Sequence, residues 1–77
     1  SAVPVQLTRT RDGWIFLMCM TQKFWQELVR ITAAPELGAD PRFATPELRR
    51  QHRDALTPVL DAVFERDTTA GWLERLQ

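Results

Sequence analysis

Cysteine occurs once, at Cys19, and histidine once, at His52. A single cysteine excludes an internal disulfide, and with one histidine it argues against a zinc site. Both facts suit a reducing cytoplasm, which is the expected location. Charge of one sign is also missing. Ten basic and ten acidic residues cancel, so no field gathers nucleic acid or an anionic membrane. Arg49, Arg50 and Arg53 are interleaved with Glu47 and Asp54 rather than forming a basic block. The longest apolar run, Trp14 to Met20, is seven residues, far short of the ~20 a membrane helix needs. The N-terminus shows no charged head before a long apolar run, so no signal peptide is visible. The three glycines are isolated, which excludes a phosphate-cradling loop.

What remains is ordinary globular composition, 44% hydrophobic and 26% charged over 77 residues, enough for one small domain over 1–77. Leu7 alternates with Gln6, Thr8 and Thr10, continuing Val3 and Val5, which is the period of a half-buried strand. Pro4 confines that strand to an edge or makes it start there. Asp12-Gly13 predicts a hairpin turn with glycine at positive φ. Trp14 to Met20 is apolar on both faces, so it is buried on both sides or its second face meets something outside this chain.

Thr21 is suited to cap a helix with Phe24, Trp25, Leu28, Val29 and Thr32 as its inner stripe. That helix should stop before Pro35. Residues 35–43 read as a turn-rich loop anchored by Phe43. Thr45-Pro46-Glu47 starts a second helix reaching about Arg66, with Leu48, His52, Leu56, Val59, Leu60, Val63 and Phe64 inward. Pro58 should kink it near Asp54 or divide it into two abutting helices, with Asp54 capping the second. A last helix begins at Asp67-Thr68-Thr69 and turns Trp72, Leu73 and Leu76 inward. It runs to Gln77 without a C-terminal cap, as expected of a segment of something longer. The fold class is α+β: a two-stranded antiparallel hairpin packed against about three helices.

No complete active site is visible. His52 lies on an apolar stripe, so it reads as a structural histidine at the core edge; a general base would need a partner within reach. Cys19 has no basic neighbour to favour its thiolate, so it reads as buried and inert. Met18 and Met20 flank it on one face and are candidates for contact with an acyl chain, against the plainer reading of core filling. Trp14, Trp25 and Trp72 read as three separate core contacts. No catalytic residue and no metal ligand is assigned.

Three stretches carry a family resemblance. They are Thr10-Arg11-Asp12-Gly13-Trp14-Ile15 with Phe24-Trp25-Gln26-Glu27-Leu28; Pro35 through Asp40-Pro41-Arg42-Phe43 to Thr45 and Arg49; and Arg53, Leu56, Leu60, Phe64, Thr68, Trp72 and Leu73. Together they resemble part of the small domain of the family III CoA-transferases, the group that includes formyl-CoA transferase, carnitine CoA-transferase and the alpha-methylacyl-CoA racemases. The resemblance implies a parent enzyme acting on coenzyme A thioesters. Its acyl-accepting aspartate, the histidine of the racemases and the CoA-binding residues lie outside this chain, and His52 does not correspond to that histidine. It further implies that this chain holds no cofactor, that its partners are the rest of the parent chain, a homodimer mate and acyl-CoA, and that the remaining strands of the small domain come from elsewhere in the parent. Family members commonly carry glutamate where this chain has Gly71. With Thr68 as cap, Gly71→Glu would complete a capping box and is expected to add roughly 1 kcal/mol. The reading from another class is a stand-alone module that presents an apolar surface to a protein partner.

Overall fold

The computed structural model describes residues 6–17 and 21–76. Two antiparallel strands, β1 (Gln6–Arg9) and β2 (Trp14–Leu17), pair Leu7 with Phe16, Thr8 with Ile15 and Arg9 with Trp14. Five α-helices follow: α1 (Gln22–Thr32), α2 (Pro35–Gly38), α3 (Pro46–Gln51), α4 (Arg53–Phe64) and α5 (Thr69–Leu76), with a 3-10 turn at Pro41–Phe43 between α2 and α3. The α+β class is therefore right. Residues 35–43 are helical turns rather than loop, and the stretch from Pro46 to Phe64 is two abutting helices, one of the two outcomes expected of Pro58.

One core runs through the molecule. Ile15 and Leu17 of the sheet meet Trp25 and Leu28 of α1, Leu37 of α2, Phe43, the Leu56, Leu60, Val63 and Phe64 stripe of α4, and Trp72 of α5. Phe64 and Trp72 stack at a tilt with centroids 4.8 Å apart, and the Trp72 indole N–H donates to the Phe64 carbonyl at 2.7 Å. That bond lets a tryptophan be buried whole without stranding its polar atom.

The polar side of β1 is its inner side. Thr8 and Thr10 face the core, while Leu7, Trp14 and Phe16 are each more than half exposed. Alternation fixes that two faces exist, but not which is inner. Here the polar side wins because it has partners. The Thr10 hydroxyl lies 2.7 Å from that of Thr69 and accepts from the Gly13 amide at 3.0 Å. A buried hydroxyl so paired avoids the cost of an unmet polar group. Trp14 is thus not a core contact, although Trp25 and Trp72 are. The turn itself closes through Thr10 N–H to the Gly13 carbonyl at 2.9 Å. Gly13 is not at positive φ, so the positive-φ expectation for it is corrected. Val3, Val5, Met18, Cys19 and Met20 lie outside the described residues.

Two amides along the outer edge of the hairpin are occupied. The Arg9 amide donates to the Asp61 carboxylate of α4 at 3.2 Å, and the Arg11 amide to the Asp67 carbonyl at 2.8 Å. Occupied amides cannot recruit another strand there.

Thr21 caps α1 as expected, its hydroxyl accepting from the Phe24 amide at 3.1 Å. The helix ends at Ala33, a left-handed residue at φ 50°, before Pro35. Trp25, Leu28 and Thr32 are buried; Val29 is half-buried and Phe24 is exposed at the stripe's edge. The break in the second helix falls at His52 (φ −108°, ψ 28°), not at Asp54. The His52 carbonyl accepts from both Ala55 and Leu56, which restarts the helix there. Asp54 sits in the first turn, where a carboxylate suits the helix dipole, but it is not the cap. Pro58 is then carried inside α4.

At α5, Trp72 is buried, Leu76 is half-buried and Leu73 is 48% exposed, so Leu73 is not part of the inner side. Thr68 does cap, accepting from the Gly71 amide at 3.0 Å. However, the Thr68 amide that a glutamate would reach is already bonded to Asp67 Oδ1 at 2.7 Å. A Cβ at residue 71 would stand 2.5 Å from Asp67 Oδ2. Asp67 also pairs with Arg75 at 2.7 Å. A glutamate there meets a carboxylate that holds the same amide. Gly71→Glu alone is therefore expected to leave the melting temperature unchanged or lower, and Asp67→Ser with Gly71→Glu to exceed Asp67→Ser alone. A rise of several degrees in the single variant would show that Asp67 yields freely.

Candidate functional site

The residues of the second stretch form a clasp. The Asp40 side chain accepts from the Arg42 amide at 3.0 Å and pairs with the Arg42 guanidinium at 2.7 Å, which sets the 3-10 turn. Pro41 supplies the fixed φ that a helix start needs. The turn delivers Phe43 wholly into the core, edge-on to Trp25 with centroids 6.4 Å apart. Thr45 caps α3 through the Leu48 amide at 3.1 Å. One turn on, Arg49 folds back: Nη1 donates to the Phe43 carbonyl at 2.9 Å, and the guanidinium lies 4.5 Å from the Trp25 ring centre.

Arg49 is 0% exposed, although charged residues neighbour it in sequence. Its Nε and Nη2 have no hydrogen-bond partner. Burial pushes its pKa below the ordinary arginine value, with Glu47 acting in the opposite direction. The role of Arg49 could not be read from helix periodicity; its only sequence signal was its place in the Asp40–Arg49 motif.

Beside the clasp, Gln22, Trp25, Gln26, Val29, Gly38 and Ala44 line a cleft of about 280 Å³. The Gln22 amide nitrogen donates to the Ala44 carbonyl at 3.0 Å across it. Gly38 is required for the close approach of α2 to α1, since a Cβ there would stand 2.6 Å from Val29 Cγ1. The cleft offers two amides and an indole, with no carboxylate, thiol or imidazole to act as base or nucleophile.

The hairpin turn forms the second constellation. Asp12 Oδ1 accepts from the Thr69 amide at 2.9 Å, at the free N-terminal end of α5. That bond, with smaller contributions from the Thr10 and Thr69 hydroxyls, holds the Asp12 pKa below the ordinary aspartate value. Asp40 and Glu36 are lowered by their hydrogen bonds to Arg42 and Arg66. A carboxylate depressed in the folded state contributes stability above its unfolded pKa, and that stability is lost as pH falls through the folded value. The melting temperature should therefore decline as pH drops below the ordinary carboxylate range. Asp12→Asn should flatten that decline in an acid titration followed by circular dichroism, and an unaltered slope would remove Asp12 from it.

The structure does not gather the sequence-level candidates into a site. Met18 and Met20, the suggested acyl contacts, lie outside the described residues. His52 is half-buried at the α3–α4 junction, and its side chain makes no capping bond. Among the described residues no group of three His, Cys, Asp or Glu side chains could hold a metal ion. Nor is any helix among them long and apolar enough to cross a membrane.

CoA-transferase family III matches residues 1–77, and the chain belongs to that family. It is 34% identical over 73 residues to the mouse succinyl-CoA:glutarate CoA-transferase, covering 95% of this chain and 17% of that protein. It is 28% identical over 71 residues to the acetyl-CoA:oxalate CoA-transferase of Acetobacter aceti, covering 92% of this chain and 18% of that protein. A crystal structure of a hypothetical protein from Mycobacterium tuberculosis superposes with TM-score 0.88 at 32% identity, over 99% of this chain and 22% of that one. A CAIB/BAIF family protein from Brucella suis superposes with TM-score 0.86 at 28% identity, over 97% and 20%. The chain thus spans about a sixth of the length of the curated relatives it matches.

Proposed function

We propose that this chain is one segment of the small domain of an enzyme that moves coenzyme A between carboxylic acids. The observation that carries the reading is the whole-chain family match, joined to relatives that are themselves named as CoA-transferases. The segment supplies no catalytic group; its part is structural. It closes over the acyl end of the substrate and contributes to a dimer of the parent, a cytoplasmic protein. Met18 and Met20 are the proposed acyl contacts.

The chemistry of the parent would be covalent catalysis by a carboxylate. An aspartate oxygen outside this chain attacks the acyl-CoA thioester, the carbon–sulfur bond breaks, and CoA leaves as a thiolate from a mixed anhydride. The thiolate attacks the aspartyl carbonyl and releases the first acid, leaving an enzyme–CoA thioester. The second acid repeats the two steps in reverse and departs as its CoA ester. The names of the relatives favour this transfer over racemisation. The test is to express the complete reading frame that contains this segment and give it succinyl-CoA or acetyl-CoA with dicarboxylate acceptors. A new CoA ester, with a CoA-sized mass gain on the enzyme, supports the reading. Epimerisation of a 2-methylacyl-CoA without transfer would replace it with the racemase, and a reading frame limited to these 77 residues would replace it with a free-standing interaction module.

A further inference from the structure

Leu7, Trp14 and Phe16 are 54%, 53% and 55% exposed, on one face of the hairpin. Leu7 stands opposite Phe16 and Arg9 opposite Trp14, so the four side chains form one contiguous patch. The Arg9 guanidinium covers Trp14 at 5.5 Å from its ring centre. The other face of the same strands is packed to 2–6% exposure at Ile15 and Leu17. A patch of large apolar side chains on a chain whose core is otherwise closed marks a surface that meets something else.

We infer that this face is the docking surface for another part of the parent polypeptide, an apolar layer that brings a carboxylate to Arg9. The inference rests on the reading that the chain is a segment of a larger enzyme. Three observations select that occupant. First, a small ligand needs a concave site; the cleft beside the clasp lies elsewhere, and none of these side chains lines it. Second, the patch carries a cation. Among the described residues Arg9 has no ion-pair partner, and the nearby Asp61 carboxylate is bonded to the Arg9 backbone amide. A second copy docked face to face through this small patch would set Arg9 close to its twin, which like-charge repulsion opposes. Third, about four-fifths of each matched crystal structure lies beyond the part this chain covers, so covering polypeptide is at hand.

The experiment is carbene footprinting of the full-length protein, read at Leu7, Trp14 and Phe16 by mass spectrometry, with the unfolded protein as reference. It is run concentrated and diluted below the dissociation point of any oligomer, with and without acyl-CoA. The expected result is strong protection of all three residues in every condition. In the Arg9→Glu variant, labelling at Trp14 should rise several-fold, while Arg9→Lys keeps it low. Labelling near half the unfolded level in every condition would overturn the inference. So would protection lost on dilution, which assigns the face to a second copy, or protection present only with acyl-CoA, which assigns it to substrate. Unchanged labelling in Arg9→Glu would overturn the carboxylate. CoA transfer is assayed on the same preparation, so a protected face in an inactive protein rejects the enzyme reading and not the docking surface.

Discussion

Arg49→Ala should cost about 3 kcal/mol, because it opens a cavity in the core and strands a buried carbonyl, whereas Arg49→Met should cost far less. The alanine variant empties a wholly buried position, leaves the Phe43 carbonyl without its donor and removes the cation from the Trp25 face. Methionine refills most of that volume with a flexible apolar chain. It also removes a buried charge whose Nε and Nη2 have no acceptor. Exchanging a buried charge for an apolar side chain of similar size is often neutral or better, while truncating it is not. Urea unfolding of the wild type and both variants separates the two effects. Equal losses would show that the bond to Phe43 dominates. A smaller loss for alanine than for methionine would show that the site collapses around the gap.

Trp72→Ala is the second large effect, about 4 kcal/mol in the range of buried aromatic truncations. A domain of this size commands on the order of 5 kcal/mol in total, so this variant should be marginally stable, with a much lowered melting temperature. Trp72 stacks on Phe64, donates its indole N–H to the Phe64 carbonyl and sits beneath the Arg75 guanidinium at 4.7 Å. Trp72→Phe keeps the stacking and loses the donor, so its cost should be nearer 1–2 kcal/mol. A denaturant midpoint for Trp72→Ala within error of the wild type would mean that α5 is not part of the cooperative unit.

How much of this was legible depended on how far away the deciding residue lay. The α1 start at Thr21 and its stop before Pro35 are local matters of one side chain and one φ angle, and both were readable. The Asp40–Arg49 motif was readable as a motif, and the structure supplies its physics: a capped turn, a core anchor and a returning arginine. The sheet face was not readable, because Thr10 is stabilised inward by Thr69, a residue 59 positions away. The same distance hid the work of Asp12, which resembles an ordinary turn residue yet caps a helix 57 positions on. Periodicity assigned Leu73 to the inner side of α5 and overlooked Arg49 altogether. An amphipathic stripe shows where apolar residues lie on a helix, but not how wide the neighbouring contact is. The restart at His52 was misplaced by two residues, since Pro58 shows that a helix will be disturbed and not where the chain finds it easiest to yield.

The latch between the hairpin turn and α5 also bears on how the chain reaches this state. Each helix forms from contacts a few residues apart. The bonds from residues 9–12 to residues 61–69 join positions more than 50 apart. The entropy of closing so long a loop must be met before those bonds can form. The order of assembly that follows is helices first, with the hairpin turn waiting for α5. During synthesis the hairpin therefore leaves the ribosome well before the helix that holds its turn, and the face that carries Ile15 and Leu17 stays uncovered in the interval.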